Sequence, residues 1–222
     1  MKILCISDYI DPQVYSPGIK DRFADIDLVL CAGDLPLDYL DFIISTLNKP
    51  LLFVFGNHHT QELKLYKNQI NLLLFQNEKE FPGCGAVHVG TKVTTEADII
   101  VAGFGGSMRY NNGFNQFTDL EMYIEAFKLI PKLLWNRIVR GRYVDILLTH
   151  APPKGIHDKN DKCHWGFKTY LWFMKVFKPK FLVHGHIHLY DLCEVRCTKW
   201  QNTMVINAYN HYVIETGDCN AS

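Results

Sequence analysis

Short apolar runs punctuate the chain, and five of them end on the same kind of polar residue. Lys2–Ser7 runs into Asp8, Leu28–Gly33 into Asp34, Leu51–Gly56 into Asn57, Asp145–Thr149 into His150, and Phe181–Gly185 into His186. Each run is rich in Ile, Val, Leu and Phe, the pattern of a buried strand. Between them, Leu37, Leu40, Phe42, Ile43, Ile44 and Leu47 recur at helical spacing and predict a helix over 37–47, ended by Pro50. A short helix is expected from Ile19, after a loop that Pro12, Pro17 and Gly18 impose. Thr60–Phe75 is helical in pattern, and Gly166–Phe177 reads as an aromatic-rich helix before Pro179. Thr118–Arg140 is the longest helical stretch, with Thr118 and Asp119 as candidate caps, Gly141 as a stop, and Pro131 expected to break or kink it.

The middle of the chain reads as strands over Ala86–Val89, Thr91–Thr95 and Asp98–Ala102, joined by tight turns, the first at Gly90-Thr91. The tail, Asp191–Arg196, Thr203–Asn207 and His211–Glu215, alternates like antiparallel strands. Helices alternating with strands and then a run of strands predict a layered α/β architecture, two packed sheets with helices outside. The chain of 222 residues has no repeat, linker or low-complexity segment, so 1–222 is expected to be one domain. In open α/β sheets ligands gather beyond the carboxyl ends of the strands, so five such ends bearing Asp, Asn and His imply one polar site.

Composition narrows the picture. Lys plus Arg equals Asp plus Glu at 23 each, so no overall field draws the chain to nucleic acid or an anionic membrane, and sustained nucleic-acid binding is not expected. A phosphate-bearing substrate would need a local source of positive charge, which bound cations would supply. The opening residues meet Asp8 too early for a signal-peptide core, and no uncharged apolar stretch is long enough to span a bilayer, which makes cytoplasmic the default expectation. Seven cysteines include no C-x-x-C pair, and Cys5 and Cys31 fall inside expected strands; reduced, structural thiols are expected, with Cys193 and Cys197 read as strand residues rather than zinc ligands.

The candidate ligands are Asp8, Asp34, Asn57, His150, His186 and His188. Carboxylate oxygen mixed with imidazole nitrogen suits Mn, Fe, Zn or Co better than Ca. Residues two apart in an extended segment share a face, so His186 and His188 can serve one centre, and Gly185 permits the approach. The loop Gly103–Gly113 contributes backbone N–H groups and Arg109, a candidate phosphate clamp. The loop from His150 to Trp165 carries His157, Asp158, Asp161 and His164 and reads as a lid or specificity element. His184 is expected to be buried and to orient a ligand, while His59, His88 and His211 need no catalytic role.

Taken in order, these residues resemble the calcineurin-like metallophosphoesterase superfamily, whose blocks are Asp-x-His, Gly-Asp, Gly-Asn-His, a strand-end His and Gly-His-x-His. Gly33-Asp34, Gly56-Asn57-His58, His150 and Gly185-His186-Ile187-His188 match as they stand. The resemblance implies a four-layer α/β/β/α sandwich of two packed mixed sheets flanked by helices, and two divalent cations. It implies that Asp34 bridges both, that Asn57, His150 and His186 complete one site, and that Asp8 and His188 serve the other. The first block departs from the pattern, because Ile10 stands where a histidine is expected and cannot ligate. That site then has fewer protein ligands, weaker binding, extra water, or Asp11 recruited from the turn. The implied activity is hydrolysis of a phosphodiester or phosphomonoester by in-line attack of a metal-bound hydroxide, with His58 assisting the leaving group. The rival reading, kept open by Ile10, is a non-catalytic scaffold that binds protein, as one retromer subunit of the superfamily does.

Overall fold

The computed structural model describes residues 1–58, 85–111, 113–191 and 193–216. The expected helix over Thr60–Phe75, together with His59, Cys84 and Cys219, lies outside the described residues. In chain order the elements are β1 (Lys2–Ser7), α1 (Ile19–Arg22), β2 (Leu28–Cys31), α2 (Leu37–Leu47), β3 (Leu51–Phe53), β4 (Val87–His88), β5 (Lys92–Glu96), β6 (Ile99–Phe104) and β7 (Ser107–Met108). There follow β8 (Gln116–Phe117), α3 (Asp119–Arg140), β9 (Ile146–Thr149), a 3-10 turn at Lys162–His164, α4 (Lys168–Phe177), β10 (Phe181–His184), β11 (Cys197–Trp200), β12 (Thr203–Asn207) and β13 (Asn210–Glu215).

Two large sheets result, ordered β13-β1-β2-β3-β4 and β11-β12-β10-β9-β6-β5. Both are mixed: β1, β2, β3 and β4 run parallel with β13 antiparallel at the edge, and β6, β9, β10 and β12 run parallel between antiparallel β5 and β11. Alternate residues of one strand enter different cores, which is why the runs are apolar throughout. Ile3 and Cys5 of β1 join Leu28, Leu30, Val101, Ile146, Leu148 and Val183 between the sheets. Leu4 and Ile6 of the same strand pack outward on Ile19, Tyr39, Leu40 and Ile43 of α1 and α2. On the other side Ala102, Phe104, Leu147 and Leu182 meet Met122, Leu129 and Leu133 of α3 and Tyr170, Phe173 and Phe177 of α4. The layers are therefore α/β/β/α, as expected, and most of the aromatic cluster around α4 is core packing.

Three local expectations change. The helix over 119–140 runs through Pro131 without a break. Pro131 and Phe127, whose carbonyl the proline leaves without its N–H partner, both lie on the solvent side, while the buried stripe Met122, Ala126, Leu129 and Leu133 holds the helix on both sides of it. Thr118 does cap it, accepting from the Glu121 N–H at 3.3 Å while Glu121 Oε2 accepts from the Thr118 N–H at 2.7 Å, and Gly141 closes it in the left-handed region. The strand expected at Asp191–Arg196 is a turn: the Cys193 N–H donates to Asp191 Oδ1 at 2.9 Å and the Tyr190 N–H to Glu194 Oε1 at 3.2 Å, so pairing starts only at Cys197. The middle hairpin turns at Ala97 and Asp98, both left-handed, between Glu96 and Ile99 of the paired β5 and β6, the torsions a two-residue hairpin requires.

Among the described residues no helix is long and apolar enough to cross a membrane. Phe173, fully buried with its ring 5.7 Å from Phe104 and 4.7 Å from Phe177, marks the core under α4. Phe173→Ala is expected to cost about 3–5 kcal/mol in urea denaturation. Val176→Ala, on the exposed side of the same helix, should cost less than about 0.5 kcal/mol, and equal losses would refute this placement.

Candidate metal centre

β1, β2 and β3 of one sheet and β9 and β10 of the other deliver their carboxyl ends to one rim of the sandwich. Backbone hydrogen bonds tie the turns there, Asp8 N–H to Gly33 O at 3.1 Å and Gly185 N–H to His150 O at 3.0 Å. Asp8, Asp34 and His186 all take left-handed torsions, with φ of 62°, 55° and 66°. Such torsions on residues other than glycine cost on the order of 1–3 kcal/mol each and turn a side chain that would continue the strand back over its end. The preceding glycines make the room: a Cβ on Gly56 would run into the Asp34 carboxylate and His150, and one on Gly185 into Asp8 Oδ2 and Ser7.

Asp34, His150 and His186 each offer a ligand atom, all within 4.8 Å of one another. Asn57 joins them, its Oδ1 3.0 Å from His150 Nε2, and its amide nitrogen lies 3.5 Å from the Tyr110 hydroxyl. Backbone carbonyls set the histidine tautomers. His150 Nδ1 donates to Ala32 O at 2.7 Å, and His186 Nε2 donates to Cys163 O at 2.6 Å, which leaves His150 Nε2 and His186 Nδ1 as the free nitrogens. His150 Nε2 then faces two acceptors, Asp34 Oδ2 at 3.1 Å and Asn57 Oδ1 at 3.0 Å. A nitrogen lone pair against two oxygens is repulsive unless a cation lies between them. The donor set therefore fits a divalent metal, and without one a proton takes the place. Burial alone would lower the His150 pKa, but the charge and hydrogen bond of Asp34, aided by Asp8, outweigh it and raise it to about 9.

The neighbouring imidazoles are held neutral. Burial, then the charge of His150, lowers His186 to about 3. His184 is lowered to about 3 by burial and then by His157, and burial brings His157 to about 4. These two form a chain: His184 Nδ1 donates to Gly185 O at 2.9 Å, its Nε2 accepts from His157 Nδ1 at 2.8 Å, and His157 Nε2 accepts from the Thr198 hydroxyl at 2.8 Å. The expected lid from His150 to Trp165 is thus pinned to β10 and β11, and through Cys163 O it orients His186.

The second half of the centre is less complete. Burial raises the Asp8 pKa, and both its oxygens accept the His186 N–H, at 3.1 and 2.9 Å. His188 Nε2 lies 3.8 Å from Asp8 Oδ1, and its ring stacks on Tyr209 at 4.9 Å. Ile10 points no ligand inward and is 39% exposed. Asp11 does not replace the lost histidine: its Oδ2 is bound to His211 Nδ1 at 2.6 Å and its Oδ1 to the Gln13 N–H at 2.8 Å. His211 and His88 have structural surroundings, as expected, His88 lying among Phe53 and Phe55.

His58 is exposed at the mouth, with its backbone N–H on Asp34 Oδ1 at 3.0 Å. Arg109 Nη2 reaches Glu121 at 2.8 and 2.9 Å and Gln116 O at 3.3 Å, so the side chain expected as a phosphate clamp anchors its loop to the start of α3. That loop acts on the centre by another route, through Asn115 Nδ2, which donates to Phe55 O and Gly56 O just before Asn57. The carbonyls of Ala32 and Cys163 and the hydroxyl of Tyr110 escaped sequence reasoning, since neither a backbone acceptor nor a lone tyrosine leaves a residue pattern. No disulfide forms among the described residues, Cys193 and Cys197 included.

Comparison with known proteins places these features. A family profile described as calcineurin-like phosphoesterase matches residues 1–190. UPF0046 protein K07C11.7 of Caenorhabditis elegans is 24% identical over 202 residues, covering 85% of this chain and 63% of that protein, so the chain spans less than two thirds of this relative's length. Among solved structures, TT1561 of Thermus thermophilus superposes with a TM-score of 0.60 at 15% identity, covering 94% of this chain and 89% of that one. GAP50, the anchor in the inner membrane complex of Plasmodium, does so with a TM-score of 0.51 at 10% identity, covering 93% and 70%. At these identities the likeness is one of fold.

Two outcomes follow from the protonation pattern. Binding of Mn or Zn to metal-free protein at pH 7 must displace the His150 proton, so titration calorimetry in buffers of different ionisation enthalpy should show about one proton released; none would refute the assignment. Stability of the metal-free protein should peak near pH 6.5–7. The His150 contribution is full below 6.5 and lost as pH rises toward 9, whereas His157, His184 and His186 leave the unfolded chain to take up protons alone as pH falls from 6.5 toward 4. Asp8 opposes that acid loss as one group against three. A urea midpoint rising steadily from pH 5 to pH 9 would contradict it.

Proposed function

Because the chain belongs to the calcineurin-like phosphoesterase family, we propose that it is a hydrolase of phosphate esters that uses divalent cations at the centre formed by Asp34, Asn57, His150 and His186. The observation that carries this reading is the convergence of His150 Nε2, Asp34 Oδ2 and Asn57 Oδ1, which a bound metal reconciles in place of a proton. Mixed oxygen and nitrogen donors suit Mn, Fe, Zn or Co. Asp8 and His188 would hold a second cation more weakly, since Ile10 supplies no ligand and Asp11 is bound to His211. When bound, the cations supply Lewis acidity toward the phosphoryl oxygens and toward the attacking water.

The chain's own groups do the rest. Asp34 is held in place by the His58 N–H, and the Ala32 and Cys163 carbonyls keep His150 and His186 in the tautomers that present a lone pair to the centre. The attacking water, giving its proton to solvent, would add to phosphorus in line with the leaving oxygen, the P–O bond to that oxygen would break, and His58, exposed beside the centre, would deliver the proton that oxygen takes up. Arg109 has no part in this reading. The substrate is a small phosphate monoester or diester, reached without a basic surface. The lost ligand at Ile10 also favours a second reading, a scaffold that binds protein and has little turnover.

Mn-dependent hydrolysis of bis-p-nitrophenyl phosphate and p-nitrophenyl phosphate separates the two. Wild type should turn over at least one of them, and Asp34→Asn and His186→Ala, folded by circular dichroism, should lose more than about a hundredfold. His58→Asn should keep its metal content and lose about 10²–10⁴ in kcat. Turnover unchanged in Asp34→Asn would sink the proposal, and no turnover in wild type under any of the four metals would favour the scaffold.

A further inference from the structure

Asp161, Cys163 and His164 lie at the 3-10 turn in the loop after β9, outside the ligand set of the centre, and their side chains close on one another. Asp161 Oδ1 accepts from Cys163 Sγ at 2.8 Å, from His164 Nδ1 at 2.6 Å and from the His164 N–H at 3.1 Å, while Sγ lies 3.5 Å from Nδ1. Capping the turn accounts for the backbone N–H alone. It gives no reason for a thiol and an imidazole to turn onto the same oxygen.

We propose that Asp161, Cys163 and His164 form a further metal site, distinct from the centre at the strand ends, which takes zinc or a cation of similar softness through one oxygen, one sulfur and one nitrogen. Donor chemistry selects the metal. Thiolate with imidazole favours zinc over magnesium, calcium or manganese, whereas the centre at the strand ends offers oxygen and nitrogen only.

Spacing agrees. With zinc bonds of about 2.3 Å to sulfur and about 2.0–2.2 Å to nitrogen or oxygen, tetrahedral ligands stand roughly 3.4–3.6 Å apart. Cys163 Sγ and His164 Nδ1 are already at that separation. The carboxylate oxygen is closer to both and must draw back by less than about 1 Å, which rotation of the half-exposed Asp161 side chain supplies. The site is open to solvent, with the His164 side chain 34% and the Asp161 side chain 52% exposed, so a cation reaches it without any opening of the fold. On binding, the thiol releases its proton to solvent and the imidazole carries its hydrogen on Nε2 in place of Nδ1. Three protein ligands leave one position for water.

The turn touches the centre through its backbone. Cys163 O accepts from His186 Nε2 at 2.6 Å, and the His164 ring stands 5.4 Å from the His186 ring. A cation clamped across the turn would therefore stiffen the carbonyl that orients His186. The site itself is built without any ligand of the centre, so it stands or falls independently of the phosphoesterase reading.

Cobalt(II), titrated into metal-free protein kept reduced with a phosphine, is the probe, because cobalt–thiolate ligation gives a near-ultraviolet charge-transfer band that oxygen and nitrogen ligands do not. Wild type should develop the band and lose it when zinc displaces the cobalt. Cys163→Ser should abolish it. His164→Ala and Asp161→Ser should each weaken the cobalt affinity read from the band by at least about tenfold. Serine still caps a turn, so the loss in Asp161→Ser reports ligation by the carboxylate rather than loss of the cap. Asp34→Asn should bind less cobalt in total yet keep the band, which separates this site from the centre. A wild type without the band overturns the proposal, as does a band that survives Cys163→Ser, one that disappears in Asp34→Asn, or an affinity indifferent to Asp161→Ser.

Discussion

One repulsion organises the centre. His150 Nε2, with its other nitrogen committed to Ala32 O, is held against Asp34 Oδ2 and Asn57 Oδ1 at about hydrogen-bond distance, three acceptors with no donor of their own. Only a positive charge between them makes the arrangement stable. The fold maintains it because the three residues hang from β2, β3 and β9, strands of two sheets whose packing is set by the apolar core between them. The core thus supplies the free energy that holds like-natured atoms together, and a proton or a metal discharges what is left.

The same constraint explains features that otherwise look unrelated. The glycines before Asp34, Asn57 and His186 leave space where a Cβ would collide with a neighbouring ligand. The left-handed torsions at Asp8, Asp34 and His186 turn side chains across the rim rather than along their strands. Carbonyls rather than side chains fix the imidazoles, so the tautomers depend on the course of the backbone and not on the side-chain chemistry of Ala32 or Cys163. His157 and His184 extend this into the loop after β9, where each accepts one proton and donates another. Low local dielectric strengthens such a chain and penalises any member that becomes charged.

Asymmetry between the two halves of the centre has an equally local origin. Asp8 lies outside the group of converging donors, its two oxygens share the His186 N–H, and the position where a histidine is expected is Ile10. His188 leans on Tyr209 and meets Tyr190, so the aromatic rim occupies the space beside the weaker half. The donors that converge are thereby on the Asp34 side. Away from the centre, α3 keeps Pro131 on its solvent side rather than in the packed face.

How much was legible beforehand follows from the range of the interactions involved. The strands that build the centre, their polar ends, the capping of α3 by Thr118 and the layered α/β class all rest on periodicity and on contacts within a few residues, and these are written in the order of the residues. Pro131 and the turn at Asp191 were misread because a local rule was overridden, in one case by a buried stripe that holds a helix together and in the other by side chains that cap a turn. Arg109 as a clamp and Asp11 as a replacement ligand stayed open for a different reason: each is paired with a partner well removed in sequence, Glu121 and His211, which no spacing announces. By itself the sequence determined which residue types could bind a cation and that each would sit at a strand end. Only the tertiary structure decided which of them meet, which nitrogen each histidine presents and which half of the centre is complete, because those depend on where two sheets and their loops bring atoms from opposite ends of the chain.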